Sequence, residues 1–226
     1  MVLIFCELSV PVLTDNYNLC CCLEENVNMN TNQVRARSRG RIYNLVLSGL
    51  FAAITAVLTL ITIPMPSGVP ITLQTFAVAL TGYSLGFARG TISTVVYVAL
   101  GAVGLPVFAG MQGGVGVIAG PTGGFIFGFI LLTACCGGAV RLADMIYRNN
   151  RKAATQSILT AIIALALGII GLAVCHVLGS LQYAFVSNRN FGEAFMLVSL
   201  PYIVKDVISV VGAYFVGSQI GARVIK

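Results

Sequence analysis

Tryptophan is absent from this chain of 226 residues, and histidine occurs once. Charged residues make up 9% of the sequence, whereas a typical soluble domain carries about 25%. Hydrophobic residues account for 58%, and the mean hydropathy is +0.94. This composition excludes an ordinary soluble domain and predicts a membrane protein. Without tryptophan, any aromatic belt at the membrane surface has to consist of Tyr and Phe.

The motifs of covalent and metal catalysis are missing as well. The sequence contains no G-x-S-x-G, no H-E-x-x-H and no paired carboxylates in its apolar segments. Cys20, Cys21 and Cys22 are contiguous and lack the spacing of a zinc site. The glycine-rich stretch 113–125 lacks the lysine of a phosphate-binding loop. We therefore expect no enzymatic activity, cofactor or metal in this chain.

The N-terminal part differs from the rest of the chain. Residues 1–28 carry four of the seven acidic residues and no Lys or Arg, and Met29 then begins a short polar and basic lead. We interpret residues 1–41 as a partly disordered extension and residues 42–226 as a membrane domain. The basic lead is short and lacks interleaved aromatic residues, so we expect it to meet anionic lipid rather than nucleic acid.

Six apolar segments follow, which predicts an all-α protein with six transmembrane helices. They cover residues 43–63, 72–88, 91–106, 121–143, 156–180 and 201–221. Basic residues favour cytoplasmic loops, and with a cytoplasmic N-terminus eleven of the thirteen lie inside: Arg35, Arg37, Arg39, Arg41, Arg89, Arg141, Arg148, Arg151, Lys152, Arg223 and Lys226. Both termini are therefore predicted to be cytoplasmic.

Lys205 and Asp206 are the ionisable residues well inside a predicted span, where a charge costs about 2.5 to 3.5 kcal/mol on insertion scales. Either they form part of a substrate pocket or Asp206 bonds the backbone of a neighbouring helix. Adjacent helical residues do not face each other, so a simple ion pair is not expected. Gln74 either serves the pocket or faces water. His176 has no second His or carboxylate at the spacing of a metal site in the sequence, and we interpret it as a core histidine.

A row of small residues lies on the first segment. Ser48, Ala52 and Ala56 recur at intervals of four, which puts them on one helical face. Such faces allow helices to approach closely within a membrane. The face either packs inside this protein or docks on a separate membrane subunit.

Three stretches, "PITLQTFAVALTGYSLGFARG", "YVALGAVGLPVFAG" and "GGVGVIAGPTGGFIFGF", resemble the BioY family, the biotin-specific S components of energy-coupling-factor (ECF) transporters. The resemblance runs from about Leu45 to Arg223. It implies biotin uptake across the bacterial cytoplasmic membrane, with an outward-facing pocket in a six-helix protein. An S component for another vitamin and a stand-alone membrane carrier are the alternatives.

The resemblance also implies residue roles. Asp206 would accept the N–H groups of the ureido ring of biotin, with Lys205, Gln74 or Tyr97 as donor. The expected substrate-binding residues are Gln74, Tyr97, Gly113, Gly114, Pro121, Thr122, Gly123, Gly124, Lys205 and Asp206. Ser48, Ala52 and Ala56 would dock on the transmembrane coupling subunit, which works with ATP-binding subunits. The sequence departs from the family pattern at Ser209, where the family commonly has Lys three residues after the Asp.

Overall fold

The computed structural model describes residues 42–66, 68–147 and 153–224. Its elements are α1 (Ile42–Leu60), β1 (Thr62–Ile63), β2 (Ile71–Thr72), α2 (Gln74–Val103), α3 (Val115–Ala119), α4 (Gly123–Tyr147), α5 (Ala153–Val186), α6 (Phe191–Val198) and α7 (Leu200–Val224). Five of these helices, α1, α2, α4, α5 and α7, are long and apolar enough to cross a membrane. The prediction of a helical membrane protein is confirmed in this form. The predicted extension over residues 1–41 lies outside the described residues.

The chain reverses direction within α2, at Gly86. This residue has φ 75° and ψ −175°, a conformation that glycine adopts easily because it has no Cβ. The side chain of Gln74 donates a hydrogen bond to the Tyr97 hydroxyl over 2.9 Å, whereas a continuous helix would separate the two residues by about 35 Å. The element therefore consists of two antiparallel arms, residues 74–85 and 87–103. They correspond to the predicted segments 72–88 and 91–106.

The main core lies between the first arm of α2, α4, α5 and α7. Val78, Leu132 and Val210 are fully buried there. Small residues let the backbones approach: a Cβ on Gly82 would lie 2.7 Å from the Thr133 carbonyl oxygen, and one on Gly137 would lie 2.6 Å from the Gly86 carbonyl carbon. Close packing of this kind favours association of helices in lipid.

The irregular structure lies at the end of the helical bundle away from Gly86. β1 and β2 form an antiparallel hairpin with Thr62 paired to Thr72 and Ile63 to Ile71. This two-stranded sheet was not predicted, and strands of two residues are too short to leave a periodic signal in the sequence. The hairpin, the connection between α2 and α4, and the junction of α6 with α7 all border the cavity described next.

Candidate substrate-binding site

A cavity of about 330 Å³ lies between the helices at the end of the bundle away from Gly86. Its size is at the lower end of the range for small-molecule pockets. The β1–β2 hairpin, the start of α2 and the loop around Gly110 form one part of the wall. The rest comes from α4 near Phe125, α5 near His176 and α7 near Asp206. Gln74, Thr122, Lys205 and Asp206 of the predicted binding residues are among the lining residues.

Asp206 is the buried charge in this wall, with 5% of its surface exposed. Its Oδ1 atom lies 2.5 Å from the Lys205 ammonium, and Oδ2 lies 3.3 Å from Nε2 of His176. Neither contact has the alignment of a full hydrogen bond, since Oδ1 and His176 Nε2 have no hydrogen-bond partner among the described residues. A carboxylate has about four acceptor positions. Asp206 thus keeps acceptor capacity for a bound molecule.

The expectation that Lys205 and Asp206 would not form an ion pair was wrong. Although neighbouring positions on a helix point in different directions, the long lysine side chain folds back to the carboxylate. Its ammonium also donates a hydrogen bond to the Thr72 carbonyl oxygen over 2.9 Å. Lys205 therefore neutralises Asp206 and ties α7 to the β1–β2 hairpin. The alternative in which Asp206 only bonds backbone does not match these contacts.

Gln74 and Tyr97 hold each other at the edge of the cavity. Gln74 is 5% exposed and lines the cavity, whereas Tyr97 is fully buried and is not among the lining residues. The Tyr97 hydroxyl accepts the hydrogen bond from Gln74 and donates to the Val107 carbonyl oxygen over 3.0 Å. Tyr97 is placed to orient Gln74 rather than to touch a molecule in the cavity.

Comparison with known proteins identifies the family. A model of the BioY family matches residues 29–226. The biotin transporter BioY of Thermotoga maritima is 36% identical over 179 residues, which cover 78% of this chain and 94% of that protein. The biotin transporter BioY of Rhodobacter capsulatus is 36% identical over 177 residues, which cover 74% of this chain and 87% of the relative. This chain belongs to the BioY family.

A solved structure agrees with this assignment. The crystal structure at 2.1 Å of the S-component for biotin from an ECF-type ABC transporter matches this fold with a TM-score of 0.66 and 26% sequence identity. The match covers 80% of this chain and 92% of the solved one. The prediction that the chain resembles the biotin-specific S components is confirmed.

In the glycine-rich stretch of this BioY-family chain, Thr122 lines the cavity, but the glycines and the proline do not line it as the resemblance implied. Gly113, Gly114, Pro121, Gly123 and Gly124 are absent from the lining residues. A Cβ on Gly124 would overlap the Leu178 carbonyl oxygen of α5, and one on Gly123 would lie 2.5 Å from the amide nitrogen of Gln182. Gly114 has φ 97°, which favours glycine. Gly123 and Gly124 let α4 lie close against α5, and Gly114 shapes the turn before α3.

The small-residue face of α1 is turned inward. Ser48 and Ala52 are 5% and 3% exposed, and Ala56 is half-buried. The Ser48 carbonyl oxygen accepts a hydrogen bond from Ser93 over 2.7 Å, and Ala52 packs in a buried cluster with Tyr97. The face therefore packs against the second arm of α2 within this chain. The expectation that it docks on a coupling subunit does not match this position, because a partner would have to displace α2.

His176 is the site residue that the sequence analysis missed. It is 4% exposed, lines the cavity and lies beside Asp206. One feature of the sequence could have pointed to it: the single histidine and the one carboxylate well inside a predicted span both lie in apolar segments. Ser209, at the position where the resemblance implies a Lys, is buried and is not among the lining residues. Lys205 supplies the cation beside Asp206 from the preceding position instead.

Proposed function

We propose that this chain binds biotin in the 330 Å³ cavity and serves as the S component of an ECF transporter. The observation that carries the proposal is the ion pair of the buried Asp206 with the half-buried Lys205 in the cavity wall of a BioY-family protein. The match to this chain covers most of the length of two relatives that are named biotin transporters. Residues 42–226 form the substrate-binding domain in this proposal, and residues 1–41 precede it as an extension.

The chemistry of biotin suits this wall. Its ureido ring offers two N–H donors and one carbonyl acceptor, so a pocket needs an acceptor next to a donor. Asp206 supplies the acceptor, and Lys205 and Gln74 line the same cavity as donors. Phe125, Phe129 and Leu172 add apolar surface, which suits the thioether ring and the aliphatic tail.

We infer that the chain crosses the membrane six times, because the two arms of α2 run antiparallel. With six crossings and a cytoplasmic N-terminus, the reversal at Gly86 and nearby Arg89 lie on the cytoplasmic side, as the positive-inside rule favours. The cavity then opens outward. In this proposal the protein lies in the bacterial cytoplasmic membrane, a location that suits a chain similar to proteins named biotin transporters.

ATP hydrolysis in this proposal belongs to partner subunits of the transporter. To bind the coupling subunit, this chain needs a surface that is not covered by the other helices of this chain. Gly49, Ala53 and Val57 recur at intervals of four on α1 and are exposed, and no other part of the described chain lies within 4 Å of the position of a Cβ on Gly49. We propose this row, next to the buried one, as the contact with the coupling subunit.

Equilibrium binding of biotin to the purified protein tests the proposal. Asp206→Ala should weaken binding by about ten- to a hundredfold, because a hydrogen bond to a charged group contributes about 1.5 to 3 kcal/mol. Ser209→Ala is the matched control: it lies one turn further along α7, is buried and is not among the lining residues. Its affinity should stay within about twofold of wild type. Wild-type protein that prefers another vitamin, or Asp206→Ala protein that is folded and binds normally, would refute the assignment.

A further inference from the structure

The His176 side chain has a defined place beside the proposed site. It projects from α5 toward Asp206 on α7, with 4% of its surface exposed. The edge of one ring faces the other where His176 meets Phe125, with centroids 6.0 Å apart and planes at 87°. The imidazole is thus held by packing and has little freedom to turn.

Both ring nitrogens have polar neighbours. Nε2 lies 3.3 Å from Oδ2 of Asp206, and Nδ1 lies 3.1 Å from the Ser199 hydroxyl oxygen. The Ser199 oxygen lies 2.7 Å from the Ser180 hydroxyl oxygen. A row of polar groups therefore runs from Ser180 through Ser199 and His176 to Asp206, across α5 and α7.

This row has one self-consistent arrangement of protons around a neutral imidazole. A neutral imidazole carries one N–H group, and a lone pair on Nε2 would face the carboxylate of Asp206. The proton therefore belongs on Nε2, the nitrogen next to Oδ2, at a 3.3 Å contact that lacks the alignment of a full hydrogen bond. Nδ1 then accepts the hydrogen of Ser199, whose oxygen accepts the hydrogen of Ser180. Ser199 thus fixes the tautomer that suits Asp206.

The two oxygens of Asp206 are held from different sides. Lys205 contacts Oδ1 and His176 contacts Oδ2, and the Thr75 side chain also interacts with the carboxylate. The terminal torsion of an aspartate is broad when nothing restrains it. With a contact on each oxygen, the carboxylate keeps one orientation toward the cavity before any molecule binds.

We propose that His176 is a positioning residue, which orients the Asp206 carboxylate for the ureido N–H groups through its Nε2–H group. The inference rests on the proposed function. It predicts that His176 acts on affinity through Asp206 and not by contact with the substrate. Fixing a binding group in advance lowers the entropy loss on binding.

Biotin titrations with two substitutions at this position separate the N–H group from the bulk of the ring. His176→Leu removes the donor and keeps an apolar side chain, so affinity should fall about three- to tenfold, the effect of freeing one side chain. His176→Gln returns an N–H donor at a similar reach and should restore most of that loss. Equal losses in both variants, or no loss in His176→Leu, would overturn the proposal.

A background with Asp206→Asn tests whether the effect passes through Asp206. In that background His176→Leu should cause no further loss, because the carboxylate it orients is gone. A full additional loss would show that His176 acts independently. If His176→Leu does not fold, Ser199→Ala carries the test, since it removes the group that fixes the tautomer, and normal affinity there would refute the inference. Wild-type protein that does not bind biotin would instead refute the proposed function itself.

Discussion

Replacing Gly124 with alanine should force α4 and α5 apart. The added Cβ would overlap the Leu178 carbonyl oxygen and would lie 2.8 Å from its carbon and 2.9 Å from Cβ of Gln182. Carbon atoms pack favourably at about 3.5 to 4.0 Å, so the backbones have to separate by roughly 1 Å. Backbone cannot move aside as a flexible side chain can. Overpacking of this kind costs about 1 to 3 kcal/mol, which corresponds to a melting temperature lower by about 2 to 12 °C in a chain of this size.

The matched control is Gly116→Ala in the same stretch, where none of the other residues that the structure describes comes within 4 Å of the new Cβ. Thermal unfolding of both variants in detergent, followed by biotin titration well below the melting temperature, gives the comparison. We expect Gly124→Ala to melt earlier and to bind biotin normally when folded, and Gly116→Ala to match wild type in both respects. If Gly124→Ala melted like Gly116→Ala, the close approach would not be structural. If it melted normally but bound biotin weakly, the glycine would belong to the pocket after all.

Two further predictions concern the partner and the substrate. Ala53→Leu, on the exposed row of α1, should reduce copurification with the coupling subunit without changing biotin affinity. Ala52→Leu should instead lower the melting temperature of the protein itself, because Ala52 is 3% exposed. Normal copurification of Ala53→Leu would refute the proposed contact. A neutral amide of biotin should bind with an affinity within about threefold of that of biotin. Among the described cavity-lining residues the one lysine or arginine is Lys205, which is already paired with Asp206. The carboxylate tail of biotin therefore stays in water, because burying it without a partner would cost its hydration. A loss of tenfold or more for the amide would show that the tail meets a cation.

The sequence by itself determined that this is a helical membrane protein of the BioY family. Membrane helices satisfy their own backbone hydrogen bonds, so the length and polarity of apolar segments are enough to predict them. Asp206 could also be selected from sequence, because an ionisable side chain within a span is costly and needs a reason to be there.

Only the tertiary structure decided which side each residue faces and what it touches. The glycines after Gly113 resembled ligand-binding backbone, yet a bare backbone serves helix packing equally well, and the Leu178 carbonyl on another helix favours packing at Gly124. The Ser48 and Ala52 face was ambiguous for the same reason. His176 acquired its role when the fold brought α5 against α7, 30 residues further along the chain at Asp206. Contacts between distant segments depend on packing in three dimensions, which the pattern within a single segment does not contain.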